Sequence, residues 1–322
     1  MLIKYIISIS IFLILALIYI SIAKKSGIVD RPNERSAHTK ATIRGLGVIF
    51  FISILLYGVF FNFNYPFFLS GILILGIISF LDDLFTLRST LRLPFQLIGV
   101  FLISYQLVLS FHLGESLLLE GLIIFFGLGF LNAFNFMDGI NGITGLYALV
   151  AINSFWCVDW NLKTIDHNLF VLTTSSIVVF LFFNFRRKAI AFSGDVGSIT
   201  IAGLLFFIGL AISSSIEWKY LLFFSLYGLD TGYTLIYRAL NKENIFKAHK
   251  LHFYQLLIHK QGLSHLFVSV LYAGLQLLLN ILIISFDSWL VYFFPIILIS
   301  IILHLCRLAM NRGIIVIPNN KM

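Results

Sequence analysis

Four aspartates carry the first chemical signal in this 322-residue sequence. Asp82 and Asp83 stand in tandem where an apolar run over 67–81 meets Leu84-Phe85-Thr86-Leu87-Arg88. Asp138 lies in Asn135-Phe136-Met137-Asp138-Gly139-Ile140-Asn141-Gly142, and Asp195 in Phe192-Ser193-Gly194-Asp195-Val196-Gly197-Ser198. A charge at the hydrocarbon centre of a bilayer costs roughly 2.5–3.5 kcal/mol on insertion scales, and adjacent like charges repel and invite a cation. With only 14 acidic residues in the chain, four at the margins of apolar segments need a reason. Oxygen ligands from separate elements suit a hard cation, and Mg²⁺ takes one or two carboxylates plus substrate phosphates. Gly139, Gly142, Gly194 and Gly197 allow backbone amides to approach a phosphate at helix N-termini. Arginine and lysine supply countercharge for a pyrophosphate, and Phe192 offers a face to a base. This set suits phosphoryl transfer, where catalysis is mostly positioning and charge neutralisation.

Each residue also has a plainer reading. Asp138 and Asp195 each precede an apolar segment and can act as helix caps. The run Arg186-Arg187-Lys188 is a topology signal as much as an anion site, and His249-Lys250-Leu251-His252 suits a structural surface loop. Asp230 falls mid-span in an apolar segment, where a charge is either functional or a hydrogen-bonded structural group.

The elements that must position these residues are apolar helices. The chain is 60% hydrophobic and 11% charged, against about 25% charged in a soluble domain. We expect an all-α polytopic integral membrane protein, a single domain over 1–322. Hydropathy predicts eleven transmembrane helices, at about 3–23, 43–63, 66–82, 93–111, 117–134, 142–158, 168–185, 196–214, 218–240, 263–285 and 288–309. The first run is too long for a signal-peptide core and is read as a retained helix. Cys157 and Cys306 lie in apolar segments and read as small core residues.

Of the 22 basic residues, all but Lys4, Lys163 and Lys219 fall on one side of this topology, counting Arg307, Arg312 and Lys321 as a tail. The positive-inside rule then puts the N-terminus outside and the C-terminus in the cytoplasm. The cytoplasmic loops are about 24–42, 83–92, 135–141, 186–195 and 241–262, and every candidate named above except Asp230 falls in or beside one. The net charge of +8 is dispersed among membrane loops, which suits anionic lipid or anionic substrates and excludes nucleic acid.

Five blocks occur in order on that side: 31–47, Asp82-Asp83 through Gln96, Asn135 through Gly142, Asn184 through Ser198, and His249 through Gln255. With these the chain resembles the polyprenyl-phosphate N-acetylhexosamine-1-phosphate transferases, the superfamily that includes the phospho-MurNAc-pentapeptide translocase. Pro32-Asn33-Glu34-Arg35-Ser36-Ala37-His38-Thr39 and His249 through Gln255 are most similar to the branch that starts O-antigen, capsule or related surface glycans. The resemblance implies a catalytic pair Asp82 and Asp83, and Mg²⁺, with Mn²⁺ as a substitute, on Asp195 and Asp82. It implies that Asp138 is catalytic and sits with Asn135 and Gly139 in a nucleotide- and phosphate-contacting loop. Asn141 and Asn184 fall to the nucleotide sugar, Phe192 to uracil stacking, and His249 and His252 to the sugar and pyrophosphate. His38, Lys40, Arg44, Arg88 and Arg92 fall to the lipid phosphate and pyrophosphate. The partners implied are a UDP-sugar, undecaprenyl phosphate and the lipids of a bacterial cytoplasmic membrane, with a second copy of the chain a candidate for a homodimer. Two departures stand out. Asn141 replaces an aspartate, and Gly45-Leu46-Gly47 replaces three glycines, which predicts a less permissive backbone there.

Direct attack by the lipid phosphate and a two-step route through an aspartyl-phosphate on Asp82 or Asp83 both fit these residues. The rival from another class is a polytopic transporter or flippase, which would hold its charges near the midplane. A CDP-alcohol phosphotransferase would carry Asp-Gly-x-x-Ala-Arg, but Asp138-Gly139 is followed by Ile140-Asn141-Gly142-Ile143.

Overall fold

The computed structural model describes residues 1–30, 41–61, 63–113, 116–244 and 250–311, with side chains through Ala309. His38, Lys40 and His249, three of the sequence candidates, lie outside the described residues, as do Arg312 and Lys321 of the tail.

Twelve α-helices account for most of the described chain: α1 Leu2–Ser26, α2 Val48–Phe60, α3 Pro66–Phe85, α4 Ser89–Phe111, α5 Leu117–Met137, α6 Ile143–Asp159, α7 His167–Asn184, α8 Gly194–Ser215, α9 Ser225–Leu240, α10 Phe253–His259, α11 His265–Ser285 and α12 Trp289–Asn311. A 3₁₀ turn, Trp218–Phe224, leads into α9, and a two-residue hairpin pairs β1 (Val29–Asp30) with β2 (Thr42–Ile43). Every predicted helix is occupied by helix, but only eight of these are long and apolar enough to cross a membrane: α1, α3, α4, α5, α7, α8, α11 and α12.

Three segments depart from the prediction for physical reasons. The helix expected at 43–63 starts only at Val48, because Ile43 pairs in β2 and, by an isolated parallel bridge, with Ala191. Its 13 residues span about 20 Å, short of a hydrocarbon core of about 30 Å. The segment expected at 218–240 is broken at Phe224. Gln276 of α11 bridges the break: its Oε1 accepts the Leu226 N–H at 2.9 Å and its Nε2 donates to the Leu222 carbonyl at 3.1 Å. The expected loop 241–262 contains α10, a short helix with a capping box between His252 and Gln255.

Burial ranks the helices. α8 is apolar on all sides, as a central helix must be, and 94% of its membrane-length window is buried against 11% for α12. It packs on α2, α3, α4, α5, α6 and the 3₁₀ turn. α9 is amphipathic with its polar face inward: Asp230, Thr231, Thr234 and Arg238 are buried while Ile236 and Leu240 are exposed. Arg307, read above as part of a tail, is a buried residue of α12 that donates to Thr234 Oγ1 at 2.9 Å and lies over the Tyr233 and Tyr237 rings.

Candidate active site

Two backbone devices set the site. The segment after β2 pairs with the segment before α8: Phe192 donates to the Ile43 carbonyl at 2.8 Å, Leu46 to Phe192 at 2.9 Å and Gly47 to Ser193 at 2.9 Å. This brings Arg44 to the N-terminus of α8. The packing is so close that a Cβ on Gly47 would collide with the Gly197 and Ser193 backbone. The departure at Leu46 therefore has a simple account: Leu46 is buried in the core, while the flanking glycines occupy the positions where a side chain would not fit.

The second device is the last turn of α3. There the helix dipole disfavours carboxylates, yet Asp82 and Asp83 are both buried. Each is compensated. Asp82 accepts the Leu87 N–H at 2.6 Å and pairs with the Arg92 guanidinium. Asp83 accepts the backbone N–H of Asp195 at 2.8 Å and of Val196 at 3.0 Å, and pairs with Arg44 Nε at 2.6 Å. The same two arginines reach Asp195, Arg44 at 3.2 Å and Arg92 at 2.8 Å. The Asp82 and Asp195 carboxyls are within hydrogen-bonding contact of each other. Three carboxylates from two helices thus share two arginines. Burial works against the Arg44 charge, but Asp83 and Asp195 outweigh it and hold the guanidinium above its ordinary pKa.

Beside this cluster opens a cleft of about 330 Å³, lined by Asp30, Arg44, Asn135, Asp138, Gly139, Asn141, Asn184, Phe192, Asp195 and, from α10 and the start of α11, Gln255, Ile258, His259 and His265. Asp138 follows the last residue of α5. Its oxygens take hydrogen bonds from Thr144 Oγ1 at 2.6 Å and from the Ser193 hydroxyl. Burial pushes its pKa up to about 6, against the pull of those two hydroxyls. Asn135 donates to Ser198 at 3.0 Å and also contacts the Asp195 carboxyl. Phe192 is half-buried on the cleft wall.

The structure therefore brings together Arg44, Asn135, Asp138, Gly139, Asn141, Asn184, Phe192 and Asp195 on the cleft, with Asp82, Asp83 and Arg92 behind Asp195. Two of these have further occupations. Asn184 spends both ends of its amide on backbone, accepting from Gly142 at 2.6 Å and donating to Ala191 at 2.9 Å. Asn141 donates to the Arg186 carbonyl at 2.8 Å. Arg88 and His252 are not brought in. Arg88 is the exposed N-cap residue of α4. His252 is buried at the start of α10, 3.7 Å from Asp230. Sequence reasoning missed Asp30, Ser193, Gln255, His259 and His265. A signal existed only for the α10 face, where Gln255, Ile258 and His259 recur at helical spacing.

Known proteins point the same way. A family model described as glycosyl transferase family 4 matches residues 65–214. A probable undecaprenyl-phosphate N-acetylglucosaminyl 1-phosphate transferase of Bacillus subtilis (strain 168) is 27% identical over 283 residues, 82% of this chain and 78% of that protein. A phospho-N-acetylmuramoyl-pentapeptide-transferase of Enterococcus faecalis is 29% identical over 262 residues, 71% of this chain and 80% of its own length. One of the same description from Streptococcus agalactiae serotype Ia is 27% identical over 187 residues, and there the match spans only 55% of the relative. The fold and the matches define a multi-pass membrane protein. The chain is similar to the polyprenyl-phosphate hexosamine-1-phosphate transferase family, which the family model and these relatives support.

Proposed function

We propose that the protein transfers a sugar 1-phosphate, an N-acetylhexosamine 1-phosphate, from a UDP-sugar to undecaprenyl phosphate. An oxygen of the acceptor phosphate bonds to the sugar-proximal phosphorus, the bond from that phosphorus to the UMP oxygen breaks, and UMP leaves. The product is a lipid-linked sugar diphosphate of the kind that begins a surface polysaccharide. With a second pKa near 6 the acceptor phosphate is mostly dianionic at pH 7, so attack needs little help from a base.

The observation that carries the reading is the convergence of Asp195, Arg44, Asn135, Asp138 and Phe192 on one cleft, with Asp82 and Arg92 directly behind. The Asp82 and Asp195 carboxyls, bridged by Arg92, form an all-oxygen donor pair, which fits Mg²⁺ or Mn²⁺ on Asp195 and Asp82. Such an ion, when bound, neutralises charge on the pyrophosphate. Among the described residues no third His, Cys, Asp or Glu joins them as a ligand, so the remaining positions fall to phosphate oxygens and water. Phe192 stacks on the uracil, Arg44 faces the phosphates, and Arg92 backs them through Asp195. The charge map supports a site open to the cytoplasm of a bacterial inner membrane, with the N-terminus outside.

The test incubates purified protein with undecaprenyl phosphate, a panel of UDP-N-acetylhexosamines and Mg²⁺, and measures UMP. Metal-dependent UMP with at least one donor is the expected result. No UMP with any donor refutes the proposal.

A further inference from the structure

We infer that Asp83 is a positioning residue and not the base or nucleophile of the reaction: its carboxylate holds the first turn of α8, and through that turn it aims Asp195 at the cleft. The inference rests on the transferase reading above and assigns one of its two tandem aspartates.

The case begins with what α8 lacks. A helix start leaves several backbone N–H groups without intrahelical partners, and a serine at the N-cap usually satisfies one of them. Ser193 occupies that position, but its hydroxyl is committed to Asp138 and makes no cap bond. The N–H groups of Asp195 and Val196 go instead to Asp83, one to each oxygen. The positive end of the α8 dipole suits a carboxylate there, which offsets the unfavourable seat of Asp83 at the C-terminal turn of α3. Gly194, at φ 71°, permits the approach, since a Cβ there would collide with the Asp83 carboxylate.

An account of its oxygens leaves Asp83 little capacity for substrate. Oδ1 accepts from Asp195 N and Arg44 Nε, and Oδ2 accepts from Val196 N behind Gly194. The side chain is 0% exposed, against 19% for Asp195, and it is absent from the cleft wall. A base or nucleophile must come within hydrogen-bond reach of the reacting group, and Asp83 does so only if the α8 start is dismantled. Asp195, two residues along the same turn, is the group presented to the cleft. The two neighbours therefore divide the work: Asp82 shares Arg92 with Asp195 near the cleft, and Asp83 fixes the backbone that carries Asp195.

The experiment measures UMP release as a function of Mg²⁺ concentration and pH for the full chain and two variants. Val196→Pro deletes one N–H donor to Asp83 while leaving the Asp83 carboxylate in place. The expected result is at least a tenfold loss of turnover and about a tenfold higher Mg²⁺ requirement, since a displacement of about 1 Å can cost 10²-fold. Asp83→Asn should lose activity similarly, raise the Mg²⁺ requirement, and keep the pH limbs of the wild type. The assignment is overturned if Val196→Pro turns over within twofold of wild type at unchanged Mg²⁺ requirement. It is equally overturned if Asp83→Asn removes the acidic limb while leaving the Mg²⁺ requirement as it was. Should Asp83→Asn fail to fold, Val196→Pro decides alone. Wild-type protein that releases no UMP refutes the transferase reading and needs no variant to show it.

Discussion

Asp83 and Asp230 are the same device used twice. Each is a buried carboxylate on one helix that accepts two successive backbone N–H groups at the start of another. Asp83 takes those of Asp195 and Val196 in α8, and Asp230 takes those of Phe253 and Tyr254 in α10, at 2.7 and 3.2 Å. The two helix starts so held both line the cleft, α8 with Asp195 and α10 with Gln255, Ile258 and His259. The compensation differs. Asp83 is balanced by Arg44, whose other nitrogen reaches Asp195. Asp230 is held by the Tyr272 hydroxyl at 2.6 Å, with Thr234 and His252 close by. The first aspartate is thereby tied to the charge balance of the proposed cation site. The second shapes a wall without touching that balance.

This contrast makes ranked predictions, and the largest effect belongs to the residue that Asp83 serves. Asp195→Asn should reduce UMP release at least 10³-fold while the protein keeps its detergent-solubilised thermal midpoint within a few degrees. Residual activity above a tenth of wild type would place the chemistry elsewhere. Asp230→Asn should act in the opposite currency. Leaving buried donors without a charged acceptor costs about 1.5–3 kcal/mol per bond, so the midpoint should fall by several degrees. KM for the UDP-sugar should rise as α10 shifts, and the Mg²⁺ requirement should stay as in wild type. A raised Mg²⁺ requirement in Asp230→Asn would erase the distinction between the two aspartates.

Arg92 tests the charge side of the comparison. Its guanidinium contacts Asp82 and Asp195 together, the two carboxylates proposed to hold the metal, so arginine and metal compete for the same oxygens. Arg92→Met should tighten Mg²⁺ binding by about tenfold, read as the Mg²⁺ concentration that raises the thermal midpoint halfway. The estimate is modest because Arg92 is partly exposed and its Coulomb energy is screened. Turnover should fall, since the same arginine backs the phosphates through Asp195. Unchanged or weaker Mg²⁺ binding would show that arginine and metal use different oxygens.

Much of this site was legible in the sequence because charge is scarce in the chain and expensive in a membrane. Asp82, Asp83, Asp138 and Asp195 could be found at the ends of apolar runs for that reason, and so could the basic residues opposing them. What the sequence concealed is the division of labour. Nothing in a tandem Asp-Asp distinguishes the residue beside the cleft from the one that caps a distant helix, because that depends on which backbone the fold brings within 3 Å. Ser193 carried no role in the sequence, and only the packing of α5 against α8 shows its hydroxyl committed to Asp138. Asn184 reads as a ligand and is spent on backbone. The α10 wall was hidden because seven residues are too few to give hydropathy a period. Helices α2 and α9 were over-extended for a related reason: apolar text continues through β2 and through the break that Gln276 bridges.

The smallest effect concerns Asp138, a cleft carboxylate held by two hydroxyls. Thr144 and Ser193 both donate to it, an arrangement suited to the ionised form, while burial raises its pKa to about 6. Activity that depends on ionised Asp138 should therefore fall as pH drops through about 6. Stability should move the other way. A carboxyl whose folded pKa lies above its unfolded value of about 3.9 favours folding most below that value, and the contribution is lost as pH rises through 6. Ser193→Ala removes a donor that favours the ionised form, so its acidic limb should move to higher pH while α8, capped by Asp83 and not by Ser193, keeps its Mg²⁺ requirement. Acidic limbs that coincide in wild type and Ser193→Ala would mean that the titrating group is not Asp138 but another, such as the acceptor phosphate itself.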